Sequence, residues 1–193
     1  MPSPAQSLHS RPPLTWAGVA RRIRVPLSFV FGGLYCWLAH PTWLALIVGS
    51  AIVAVGLALR AAASGHIRKD RELTTTGPYA YTRNPLYLGS LLMGLGFAVA
   101  SRSLWVLALL VLLGIAIYWP LVRAEERYLR ANFAGFDEYA RRVPRLLPRF
   151  TAAQAGGAFS GELYRRHREW QAAIGALAVA AFLIAKILWL QGR

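Results

Sequence analysis

Acidic residues are scarce in this chain of 193 residues: Asp and Glu number 8 against 22 Lys and Arg. Charged side chains of both signs together make up only 16%, against roughly a quarter in soluble domains. With 56% hydrophobic residues and a mean hydropathy of +0.39, that scarcity excludes a soluble globular class and defines a membrane protein. The single cysteine, Cys36, sits in an apolar run, so no disulfide framework exists. The four histidines, His9, His40, His66 and His167, are scattered, so no metal site is expected. What the chain does have is a net charge of +14, carried by arginines outside the apolar runs. That pattern suits a face held against anionic lipid headgroups. Nucleic acid is the other usual partner of so basic a chain, but no folded basic domain is left to present to it, and none is expected as a partner.

Along the chain, residues 1–15 are rich in Ser, Pro and Arg without periodicity and read as a disordered basic tail. Val25 to Ala39 is an apolar run without a clear small-residue cleavage site, and it reads as a retained anchor. It is short against the roughly 20 apolar residues a crossing needs, unless Trp16 to Ile23 extends it. Trp43 to Ala63 is long enough to cross. Ser64 to Arg83 carries too many charges to enter hydrocarbon. A third span runs from Pro85 to about Ala100, with Gly89, Gly94 and Gly96 allowing close helix approach. Ser103 caps a fourth, Leu104 to Val122, joined to the third so tightly that the two form an antiparallel hairpin. Pro120 is expected to kink that helix as it leaves the membrane. Arg127 to Phe150 alternates apolar and basic residues as a segment lying on a membrane surface does. Residues 151–168 read as a linker, and 169–193 as a C-terminal span with Lys186 snorkelling beside Trp189. The expected fold is therefore an all-α integral membrane protein of about five transmembrane helices. An amphipathic segment separates the fourth from the fifth, and residues 16–150 form the core.

Basic residues set the orientation. They concentrate before the first span, from Arg60 to Arg83, and from Arg123 to Arg168, whereas the other side shows little beyond Arg102 and Arg193. The positive-inside rule then puts the N-terminus, the central loop and the region after the fourth span in the cytoplasm, and the C-terminus opposite. One consequence is that Asn84-Pro85, an N-cap followed by proline at the first helical position, faces the same compartment as Glu125-Glu126.

A helix N-terminus at the mouth of an apolar segment suits a carboxylate, and it can equally be a plain capped helix. Glu125 and Glu126, flanked by Arg123 and Arg127, are either solvated ion pairs or holders of an ammonium or ribose hydroxyls. Beside His66, Arg83 and the helix start, they offer a site for a small zwitterion. Tyr79, Tyr81 and Tyr87 are either interfacial aromatics or walls for a planar ring and a cation.

Leu73-Thr74-Thr75-Thr76-Gly77-Pro78-Tyr79, Arg83-Asn84-Pro85-Leu86-Tyr87-Leu88-Gly89, Glu125-Glu126 and the segment from Phe133 to Pro148 with Val143-Pro144-Arg145 follow one another in order. Together they resemble the isoprenylcysteine carboxyl methyltransferase family, which overlaps with integral-membrane phospholipid methyltransferases. The resemblance covers roughly His66 to Phe150. It implies a membrane enzyme that binds S-adenosylmethionine on the cytoplasmic side and methylates a lipophilic acceptor, a membrane lipid or prenylated molecule, reaching it through the bilayer. It also implies that Arg83, Asn84, Pro85, Tyr87, Gly89 and the acidic pair Glu125 and Glu126 help form the cofactor pocket, and His66, Leu73, Thr75, Gly77 and Tyr79 are the further cofactor-binding candidates. Asn84 stands where the family motif has histidine; it can cap and hydrogen-bond but cannot exchange a proton near neutral pH.

Two acceptors follow from the resemblance, a carboxylate as the leading one and an amine as the alternative. Carboxyl O-methylation of the isoprenylcysteine type needs a cation to orient the nucleophile, for which Arg123 is the candidate, alternatively a membrane-flanking arginine. N-methylation of an aminophospholipid needs a proton acceptor, Glu126 or Glu125. A nicotinamide-dependent sterol-type reductase and a non-catalytic lipid-binding scaffold are the remaining alternatives.

Overall fold

In the computed structural model the described residues are 30–68, 72–150 and 156–192. The expected tail and the start of the first expected span lie outside them. Every regular element among the described residues is helical, so the protein is an all-α membrane protein. The elements are α1 (30–38), α2 (Trp43–Ser64), a 3₁₀ turn (Gly77–Ala80), α3 (Pro85–Ser101), α4 (Leu104–Asn132), α5 (Phe136–Arg142), α6 (Gly161–Arg166) and α7 (Trp170–Gln191). Helices α2, α4 and α7 are each long and apolar enough to cross a bilayer, whereas α3 is apolar but shorter, at 17 residues.

Thr42 caps α2 and Ser103 caps α4, each accepting a hydrogen bond from the backbone N–H three residues on. Helix α3 stops where Arg102 turns into the left-handed region, φ 52°, and two residues later α4 begins, closing the expected hairpin. The seam between α2 and α3 is built on two pairs of glycines seven residues apart. Gly49 faces Gly96 and Gly56 faces Gly89, and a Cβ on Gly56 would lie 2.7 Å from the carbonyl oxygen of Gly89. Backbone therefore meets backbone, the close approach that small residues permit between membrane helices. Gly94 meets Leu110 of α4 instead.

Two expectations need correction. The fourth helix does not end near Val122 but continues to Asn132, with a π turn over Gly114–Tyr118 immediately before Pro120. The proline ring would clash with the carbonyl four residues back, Ala116, and a wider turn there accommodates it. Arg123, Glu125 and Glu126 accordingly lie within a helix, on its polar extension. The segment expected to lie flat on the membrane is also folded back on the protein. After a turn at Gly135, φ 85°, α5 buries Phe136 and Tyr139, and with Val143 they pack on Leu73 and Leu129. An irregular strap, residues 143–150, then runs beside the loop before α3.

The bundle has a polar end and an apolar end. At the apolar end Tyr35, Leu46, Ala98, Val106, Leu183 and Ile187 form the main core. There Lys186 donates to the carbonyl of Cys36 at 2.7 Å, satisfying the last turn of α1 with a cation. At the polar end Arg60 of α2 makes a bidentate pair with Glu169 and also bonds Ser90 and the Leu86 carbonyl of α3. One guanidinium thus ties α2, α3 and the start of α7. Residues 156–160 dock on the same end: Gly77 N–H donates to Gly156, Ser160 N–H to Gly65, and Phe159 lies edge-on to His66.

Candidate active site

The polar end holds a cavity of about 470 Å³, within the range usual for small-molecule sites. Its walls come from four places: the loop before α3 (Glu72, Leu73, Thr74, Tyr79, Arg83, Asn84), Tyr87 in the first turn of α3, the polar stretch of α4 (Leu121, Ala124, Glu125, Tyr128, Leu129), and Phe133 with Tyr139 beyond it.

Thr82 builds the loop. Its buried hydroxyl donates to the Leu146 carbonyl at 2.9 Å and accepts from Asn84 N–H at 3.4 Å, while Arg83 N–H donates to the Pro144 carbonyl at 2.9 Å. The strap is thereby fastened to the residues that open α3. Asn84 occupies the expected N-cap position, yet its side chain makes no capping bond. It donates instead to the Arg145 carbonyl at 2.9 Å and to Glu126 Oε1 at 3.4 Å.

Glu126 is the hub of a closed knot. Its carboxylate is 8% exposed and receives Arg145 Nε at 2.9 Å and Nη2 at 2.8 Å, Arg83 Nη2 at 3.5 Å, and Asn84. A buried carboxylate needs this many donors, because leaving it unpaired in low dielectric is costly. The hydrogen bond that Arg145 donates to Glu126 pushes the guanidinium's pKa further up, so it is charged at any working pH. Glu125, one residue earlier, turns about 100° away around the helix and faces the cavity. Tyr87 hydroxyl donates to it at 3.0 Å.

Two buried polar atoms on residues of the cavity wall have no hydrogen-bond partner among the described residues: the Tyr79 hydroxyl and Arg83 Nε. Buried donors are nearly always satisfied, so these two atoms stand out in the wall. Burial, with a smaller push from Glu125, raises the Tyr79 pKa, and burial likewise raises that of Tyr139, so both phenols are neutral donors. Tyr139 uses its proton on the Tyr79 carbonyl at 2.7 Å, fixing the wall from behind.

Of the residues singled out in the sequence, Leu73, Tyr79, Arg83, Asn84, Tyr87 and Glu125 line the cavity. Pro85 is buried as the first residue of α3 behind them. Five stand elsewhere. Gly89 lies in the seam, where a Cβ would meet the Arg60 stem and the Gly56 carbonyl. Gly77, φ 58°, and His66 pack against each other beneath the docked 156–160 segment; His66 bonds the Ala62 carbonyl at 2.7 Å and the Gly157 carbonyl at 3.3 Å. Thr75 is outside the wall, where its neighbour Thr74 stands. Arg123 is exposed, its guanidinium 5.2 Å from the Trp119 ring. Sequence reasoning gave no role to Arg145, Thr82 or Tyr139. Arg145 belongs to a quoted motif, but its partner Glu126 lies across a turn and a helix.

A family model described as phospholipid methyltransferase matches residues 44–135, the three helices α2 to α4 and the turn after them. The cobalt-zinc-cadmium resistance protein CzcN of Cupriavidus metallidurans is 32% identical over 180 residues, covering 88% of this chain and 75% of that protein. The nickel-cobalt-cadmium resistance protein NccN of Alcaligenes xylosoxydans xylosoxydans is 34% identical over 137 residues, covering 66% of this chain and 63% of that protein. No solved structure matches. The chain belongs to the membrane methyltransferase family that groups phospholipid methyltransferases with isoprenylcysteine carboxyl methyltransferases.

Proposed function

We propose that this protein is an S-adenosylmethionine-dependent methyltransferase acting on a lipophilic acceptor that reaches the cavity from the bilayer. The observation that carries the reading is the cavity wall, where Tyr79 and Arg83, each with a buried polar atom unpartnered among the described residues, line the same space as the Glu125–Tyr87 pair. The donor set fits the cofactor. Arg83 and the Tyr79 hydroxyl suit its carboxylate, Glu125 and Glu72 its cationic groups or ribose hydroxyls, and Tyr128 and Phe133 a planar ring. When bound, S-adenosylmethionine supplies an electrophilic methyl group on a positively charged sulfur.

The protein's own part is alignment, exclusion of water and management of one proton. Glu125 supports an amine as acceptor. A neutral amine gains a methyl and must lose a proton, and a carboxylate on the cavity wall, steadied by Tyr87, can take it. The carboxylate-acceptor alternative relied on Arg123, which is exposed against Trp119. Glu126 acts on this reading as a positioning residue that holds Arg83 and Asn84 in the wall. The positive-inside count supports a cytoplasmic cavity. The relatives' names speak of metal resistance. On this reading the chain's product in such a setting is a methylated membrane component.

The test is transfer of a labelled methyl group into membrane lipid extracts by the purified protein. Alkali-stable label on an aminolipid is the expected result. Alkali-labile label, released as methanol, would transfer the assignment to a carboxyl acceptor. Cofactor binding without any lipid label would favour the non-catalytic scaffold.

A further inference from the structure

On the side of α4 turned away from the cavity lies a second cluster that the proposed chemistry does not use. Trp119, Arg123 and Arg127 follow at four-residue spacing and form one stripe, whereas Leu121, Ala124, Glu125 and Tyr128 face the cavity. Trp119 is 42% exposed, and two guanidinium groups stack on its ring, Arg123 and Arg145, each 5.2 Å from the centroid. Neither Arg123 nor Arg127 has a carboxylate within ion-pair distance among the described residues. Arg145 commits Nε and Nη2 to Glu126, which leaves Nη1 without a partner among the described residues. Beside it the strap exposes Leu147 by 76% and Phe150 by 83%, with the exposed Arg149 between them.

Depth fits a headgroup. Counting about 20 residues from Leu104 for the hydrocarbon brings α4 to the interface near Arg123. At that level a tryptophan is at home, unpaired arginines meet lipid phosphates, and exposed Leu and Phe side chains reach the acyl boundary. Free guanidinium donors match phosphate oxygens in charge and geometry.

We propose that Trp119, Arg123, Arg127 and the strap 145–150 form a docking surface for the headgroup of an anionic phospholipid, separate from the methyl-transfer cavity. The occupant is a bilayer lipid, because the apolar side chains flanking the arginines have no role with a free anion. The strap that touches the lipid is the one fastened to Thr82, Arg83 and Asn84. Lipid contact therefore steadies the loop that forms the cavity wall.

Native mass spectrometry of the full-length protein, released from bilayers of phosphatidylcholine and phosphatidylglycerol with matched chains, tests this. Expected is retention of phosphatidylglycerol several-fold above phosphatidylcholine, with a fall of about fivefold or more in Arg123→Gln and in Arg149→Gln. Arg102→Gln, at the apolar end of the bundle, should retain the wild-type preference. Equal retention of both lipids would overturn the proposal, as would equal losses in all three variants. Displacement of the lipid by inorganic phosphate alone would make the cluster a free-anion site and overturn it too. None of these readouts depends on methyl transfer, so the dock and the proposed activity fail separately.

Discussion

Glu125 and Glu126 are neighbours in the chain and opposites in the structure. Glu126 is buried and takes hydrogen bonds or ion pairs from Arg83, Arg145 and Asn84. Glu125 sits in the wall of an open cavity and accepts a hydrogen bond from the Tyr87 hydroxyl. The difference shows how one helix serves two purposes through a rotation of about 100° per residue. The first carboxylate lines the cavity, and the second organises the side chains that surround it.

The largest effect that tests this contrast belongs to Glu126→Ala. Removing the hub leaves both Arg83 and Arg145 without the carboxylate they pair with, and loss of one member of a buried pair costs about 3–5 kcal/mol. Thermal unfolding in detergent should show that loss. An unfolding temperature equal to wild type would mean the knot carries no stability. Glu125→Gln should do the reverse. Losing part of one Tyr87 hydrogen bond costs about 1 kcal/mol of stability, whereas affinity for S-adenosylhomocysteine should fall about tenfold or more, equivalent to about 1.4 kcal/mol. If Glu125→Gln unfolds the protein as Glu126→Ala does, the two carboxylates are not distinct.

Tyr79→Phe sharpens the contrast further. Its hydroxyl is buried without a partner among the described residues, so its removal should leave stability level or slightly raised while ligand affinity drops severalfold. An unchanged affinity would show that the hydroxyl faces no ligand atom. The smallest effect concerns pH. Burial raises the pKa of Tyr139, so the folded state holds that proton more tightly than the unfolded chain. The stabilisation is fully present below the ordinary tyrosine value of 10.0 and is lost as pH rises beyond it. Unfolding temperatures measured from about pH 9 to 11 (roughly one unit either side of that value) should decline at the alkaline end, and less steeply in Tyr139→Phe.

Much of the fold is legible in the sequence because apolar length and capping are local. The bounds of α2, α3 and α7, the Ser103 cap and the tight α3–α4 hairpin all follow from runs of residues and their flanks. The packing of Gly96 is legible for the same reason. The Glu125–Glu126 pair and the Asn84-Pro85 helix start could also be brought to one end by topology alone. What could not be read is the phase of α4. The π turn before Pro120 resets which residues face inward, and no count at 3.6 residues per turn carries through it. Hence Arg123 is predicted in the site and found against Trp119. The partners of Glu126 and Glu169 were equally hidden, since Arg145 and Arg60 reach them across turns and over 109 residues in the second case. Asn84 illustrates the competition: its cap position is local, but a buried carboxylate claims its amide.

The measurement that bears most directly on the central claim is calorimetric titration of the detergent-purified protein with S-adenosylhomocysteine, beside Glu125→Gln and Tyr79→Phe. Saturable binding by the wild type, weakened about tenfold by the first substitution and severalfold by the second with the fold intact, is the predicted result. Absence of binding by folded wild-type protein, or affinity that neither substitution changes, would contradict it.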